Sequence, residues 1–137
     1  MKAPNGVVIL VVFSAIVAAI AWVVVSSATT PTRAIAPAVV LSACTGVFIW
    51  FTATNRHAIA RGLIAVGAVC IATPLASVQA VSNDFLFSIM EDTSVTDPRV
   101  VDYHRTLDMI FNMLLIGSAI GIVSIVVGGV MHRPPKA

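Results

Sequence analysis

From Gly6 to Ala28 the chain runs 23 residues without a charged side chain. As a helix rising 1.5 Å per residue this run covers about 34 Å, more than the ~30 Å hydrocarbon core of a bilayer. Inside lipid the backbone must satisfy its own polar groups, which an uninterrupted apolar run does as a helix. Composition extends the argument to the whole chain. Soluble domains carry roughly 25% charged and 45–50% apolar residues; here 10% are charged and 58% hydrophobic, with mean hydropathy +1.01. There is too little polar surface to wrap a water-soluble core, so the 137 residues are read as one integral membrane domain. A signal peptide competes for the first run, because Ser26-Ser27-Ala28 offers small residues suitable for cleavage. Signal apolar regions span only about 7–15 residues, which favours a retained helix.

The fold class expected is all-α: a polytopic membrane protein with four transmembrane helices in an up-down antiparallel bundle. The helices are placed at about 6–28, 35–54, 62–82 and 98–131. Ser26 to Ala34 forms a small-residue connector, with Pro31 and Pro37 taken to end one helix and start the next. The second helix closes on Trp50-Phe51, an aromatic pair suited to a membrane interface. Asn55 to Arg61 reads as a basic turn, and Pro74 lies inside the third helix. Residues 83–97 make the outer loop, containing an apolar patch from Phe85 to Met90. Asp97-Pro98 then gives an N-cap followed by proline at the first helical position. No breaker appears until His132-Arg133-Pro134-Pro135, so the fourth helix is read as continuous, about 50 Å long, and extended beyond the bilayer.

Basic residues set the orientation. Lys2, Arg56, Arg61, Arg133 and Lys136 fall on one side; Arg33, Arg99 and Arg105 fall on the other. Five against three places both termini in the cytoplasm and the 83–97 loop outside, in a bacterial inner membrane. All six acids, Asp84, Glu91, Asp92, Asp97, Asp102 and Asp108, lie on the outer side. The net charge of +2 is spread singly at helix ends, which is membrane topology and no nucleic-acid patch.

Chemistry would be sought from Asp97 to Met113, where the longest polar stretch runs into the last apolar one. Arg99, Asp102, Arg105 and Asp108 recur every three residues, and His104 stands four before Asp108. One reading is a metal site or proton relay, which needs three or four converging ligands. The other is a water-facing helix end carrying alternating charge, with Tyr103 at the interface. The second fits better, because no further histidine or cysteine falls on that side. Asp108 and Asn112, one turn apart, would sit at the membrane rim. Proton-carrying carboxylates belong nearer mid-membrane.

Gly117, Gly121, Ser124 and Gly128 form a stripe spaced four, three and four, the pattern that lets helices pack closely. Whether the partner helix belongs to this chain or another is open at this stage. Cys44 and Cys70 are placed as inert core thiols, and a haem between His57 and His132 is disfavoured by their basic rim positions. No phosphate loop, serine elbow, zinc-protease motif or paired cysteines occur. A non-enzymatic protein without cofactor or metal is therefore expected, partnered by the bilayer and by larger membrane subunits, with docking through Phe85, Phe87, Asp102, Tyr103, Arg105 and Asp108. The alternatives are a homo-oligomeric channel or transporter using Asp108, Asn112, Gln79 and the Pro74 kink, and a redox or metal protein using His104 or the thiols.

Overall fold

The computed structural model describes residues 5–89 and 98–133, with side chains described over 5–83 and 100–133. Among these, the chain forms α1 (Gly6–Ala28), α2 (Pro31–Trp50), α3 (Asn55–Ile89) and α4 (Pro98–His132). All four are long and apolar enough to cross a membrane.

The local chemistry shifts several expected boundaries. At the end of α1, the backbone N–H and the hydroxyl of Thr29 both donate to the Val25 carbonyl, at 2.9 and 2.8 Å. Thr30 is extended and Pro31 begins α2 at once, so α2 starts four residues earlier than expected. Proline's fixed φ suits the first helical position, where its missing N–H costs nothing. Pro37, expected as a starter, lies inside α2. That helix ends at Trp50 rather than Thr54, because the Thr52 N–H and hydroxyl both turn back onto the Ile49 carbonyl at 3.1 and 2.8 Å.

The residues expected as a basic turn are instead the first turns of α3. Thr54 caps it: its hydroxyl accepts the His57 N–H at 3.3 Å, and its carbonyl accepts the Ala58 N–H at 3.0 Å. Nor does α3 stop near Ser82. It continues through Phe85 and Phe87 to Ile89, so these residues belong to a helix and not to a loop. The physical reason is that Asn83 and Asp84 mark where apolarity fades, and fading apolarity does not break a helix. Pro74 is fully buried within α3. By contrast α4 runs unbroken from Pro98 to His132, as its sequence predicts; at 35 residues it is about 52 Å long.

The packing is an open array. The central pair is α1 and α3; α2 lies mainly on α1, and α4 almost entirely on α3. Among the described residues α2 and α4 do not touch. Val17 and Ala21 of α1, Ala38 of α2 and Val69 of α3 make the buried cluster, with Ile20, Leu41 and Val66 against it. Small residues set the helix spacing. The Phe13 ring lies flat over Gly62, so that a Cβ there would come within 2.5 Å of it. Ser14 faces Gly46 in the α1–α2 seam.

The glycine stripe of α4 faces α3 of the same chain. Cβ atoms built at Gly117, Gly121 and Gly128 would sit 2.5, 2.7 and 2.6 Å from the carbonyl oxygens of Cys70, Gly67 and Ala60. The approach is reciprocal at Gly67, whose own Cβ would meet the Gly121 oxygen at 2.5 Å. Residue numbers rise on one helix as they fall on the other, so α3 and α4 are antiparallel. Their backbones touch, which only glycine permits.

Candidate functional site

The α1–α2 turn fixes a level along the long pair. The Ser27 hydroxyl, in the last turn of α1, donates to the Val24 carbonyl at 2.6 Å and lies 3.7 Å from the Met113 sulfur. Met113 therefore stands level with that turn. From Met113 to His132, α4 spans about 30 Å, the thickness of a hydrocarbon core. The remainder of α4, with the end of α3, projects roughly 20 Å past the α1–α2 turn as a two-helix stalk.

Within the stalk, α4 is two-faced. Val100, Tyr103, Thr106, Leu107 and Ile110 turn inward, with Ile110 fully buried. Val101, Asp102, His104, Arg105, Asp108, Met109, Phe111 and Asn112 turn outward and are exposed. Inward positions recur at three and four, the stripe of a helix with one covered side. On α3, Val81 supplies a buried counterpart. The three-residue charge spacing of Asp102, Arg105 and Asp108 thus marks the open face of an amphipathic helix. Thr106 secures the turn by donating to the Asp102 carbonyl at 2.8 Å, and the Tyr103 ring meets His104 edge-on at 5.7 Å.

Asp108 lies five residues beyond Met113, roughly 7 Å outside the level of the α1–α2 turn. Asn112 is beside that turn, exposed on the same side. Gln79 is exposed too, while Pro74 lines an apolar cavity of about 200 Å³ with Ile20, Val24, Cys70, Met113 and Gly117. Asp108 and Asn112 thus share the exposed face of α4, whereas Pro74 is buried in α3.

Of the expected docking residues, Asp102, Arg105 and Asp108 share the outward face, and Tyr103 is half-buried beside them. Phe85 and Phe87 fall on the helical backbone of α3, and their side chains lie outside the described residues. Gly117, Gly121 and Gly128 form the α3 seam, with Ser124 half-buried along it. Among the described residues no group of three or more His, Cys, Asp and Glu side chains is placed to hold a metal. His57 and His132 do come together at the opposite end, their rings 4.9 Å apart and tilted by 46°. That is a direct ring contact, too close to admit a haem plane between them. Cys70 is buried as expected, whereas Cys44 is exposed on α2 and is not a core residue.

Sequence reasoning missed the role of Arg61. Its Nη1 donates to the carbonyls of Phe48 and Phe51 at 3.0 and 3.5 Å, and its guanidinium lies 5.2 Å from the Phe48 ring centre. It thereby closes the C-terminus of α2, where unpaired carbonyls and the helix dipole favour a cation. The available signal was an arginine one helical turn and a half into the next helix. At the same end, Arg56 donates to the Arg133 carbonyl at 3.2 Å and ties α3 to the end of α4. Comparison with known protein families, curated proteins and solved structures finds no match.

Proposed function

We propose that this protein is a non-catalytic membrane subunit that packs against and stabilises a larger complex of a bacterial inner membrane, such as an energy-converting one, with the α3–α4 stalk as its docking element. In this reading the four helices cross the bilayer up and down, both termini face the cytoplasm, and the stalk stands on the outer side. The single observation that carries it is the stalk itself: two long helices run on past the α1–α2 turn, and α4 presents there an open face alternating Asp102, Arg105 and Asp108 with Val101, Met109 and Phe111. A helix pair that only had to cross lipid would end where α1 and α2 end. The mixed charged and apolar face suits a protein partner, since mixed polarity gives both burial and register.

The open helix array supports the same reading. Only one side of α4 is covered, and the other carries Leu115, Ile116, Val123 and Val126 in exposed positions. Purification in mild detergent through a tag on this chain is the test. Larger membrane polypeptides in fixed ratio are expected. A monodisperse homo-oligomer with no second polypeptide would overturn the proposal. If such an oligomer also carried ions or a small solute across liposomes, and Asp108→Asn changed the flux, the homo-oligomeric channel would take its place.

A further inference from the structure

At the end of the molecule opposite the stalk, a groove of about 480 Å³ opens on α2, lined by Ala43, Cys44, Val47, Phe48, Phe51 and Arg61. Its volume falls within the range of small-molecule sites, roughly 300–1,000 Å³. The lining divides by chemistry along the helix. Ala43 and Cys44 lie farthest from Arg61, Ala43 about 12 Å along the helix from Phe51, and the lining side chains between, Val47 and Phe48, are apolar. The one charge is the Arg61 guanidinium, brought to the level of the α2 C-terminus by its bonds to Phe48 and Phe51. Both bonds come from Nη1, so Nε and Nη2 keep donors that no bond to the described residues occupies.

A groove with a long apolar floor and one cation at its mouth is complementary to an amphiphile with an anionic head. Charge around it points the same way. Arg56 and Arg133 stand at this end, while the acids among the described residues, Asp84, Asp102 and Asp108, are all on the stalk helices. Phe51, 75% exposed just past the end of α2, is an aromatic of the kind that anchors where head groups meet acyl chains. We infer that the groove is a binding site for an anionic phospholipid, its phosphate on the free edge of Arg61 and an acyl chain running past Phe48 and Val47 towards Ala43. This site rests on the membrane reading given above. Arg61 is then a two-sided residue, closing α2 with one nitrogen and holding the lipid head with the others.

The test uses the full chain reconstituted in vesicles, then released in mild detergent and weighed intact with its retained lipids. Flotation with vesicles of phosphatidylcholine alone comes first: a protein that does not float contradicts the membrane reading itself. Given flotation, vesicles holding equal phosphatidylglycerol and phosphatidylcholine with the same chains should yield protein enriched in phosphatidylglycerol about fivefold, the effect of one arginine at a membrane surface. Arg61→Gln should bring the ratio near one, Arg61→Lys should keep most of it, and Ala43→Phe, which fills the floor, should lower retention of phosphatidylglycerol several-fold. Arg33→Gln, at the other end of α2, should leave the ratio unchanged. No enrichment in the parent chain, enrichment that survives Arg61→Gln, or loss in Arg61→Lys equal to that in Arg61→Gln would each overturn the site. So would displacement of the lipid by millimolar inorganic phosphate, which would make it a phosphate site with no use for the groove.

Discussion

Gly117 lies against the carbonyl oxygen of Cys70, and Cys70 is the residue four before Pro74, whose ring nitrogen has no proton to give that oxygen. The proline that frees a carbonyl in α3 and the glycine that lets α4 close over it are one device. A side chain at position 117 would prise the helices apart where α3 is already short of a hydrogen bond. Membrane helices tolerate proline when a neighbour covers the freed group, and here the neighbour is the glycine backbone.

This seam gives the first prediction. Gly117→Ala and Gly121→Ala place a methyl group on backbone that cannot swing away, and each should destabilise the purified protein by about 1–3 kcal/mol, the usual cost of overpacking. Gly129→Ala is the internal control, since nothing lies within 4 Å of a Cβ there. It should be neutral or slightly stabilising. Thermal unfolding in detergent, followed by loss of monodispersity, ranks the three.

Phe13 and Gly62 should be energetically coupled. Gly62→Ala drives a methyl into the Phe13 ring, so it should cost about 1–3 kcal/mol alone. In a Phe13→Ala background the space is open and the same change should cost little. A double-mutant cycle measures the difference, and additive effects would show that the ring does not sit over the glycine.

Ser14 predicts a gain. Its hydroxyl is buried in the α1–α2 seam and, among the described residues, has no hydrogen-bond partner. Ser14→Ala removes that uncompensated group and keeps the close approach to Gly46, so stability should rise by roughly 1 kcal/mol. A fall of similar size in the unfolding midpoint would mean that the hydroxyl is bonded.

The charged face of the stalk should matter to partners and not to folding. Asp102→Lys with Asp108→Lys alters only exposed side chains, so stability should stay within about 0.5 kcal/mol. Recovery of larger membrane polypeptides through the tagged chain should drop several-fold. Unchanged recovery would remove these residues from the docking face.

Much of this was legible in the sequence, and the exceptions have physical causes. The first helix and the continuous fourth one follow from apolar runs bounded by plain signals, a small-residue connector with Pro31 at one, Asp97-Pro98 at the other. The glycine spacing on α4 announced a close seam, but spacing alone is silent on the partner, and the answer came from Gly67 and the Cys70 carbonyl on α3. The end of α3 was misplaced because hydropathy reports where lipid stops, whereas a helix stops only where its backbone is capped or broken. Arg61 escaped notice because its bonds reach ten and thirteen residues back, to another helix. Asp108 was expected at the membrane rim, and the Ser27–Met113 contact places it in the stalk, beyond the level of the α1–α2 turn.

The claim that α3 and α4 leave the hydrocarbon at the α1–α2 turn is open to one direct measurement. Nitroxide labels at Val101, Asp108, Leu115, Ile122 and Val126, all exposed positions on α4, can be placed singly on a chain with Cys44 and Cys70 replaced. In vesicles, collision with a water-soluble nickel chelate should dominate at Val101 and Asp108, and collision with oxygen should dominate from Leu115 onward. Oxygen-dominated signals at Val101 and Asp108 would place the stalk inside the bilayer and contradict the docking element proposed for it.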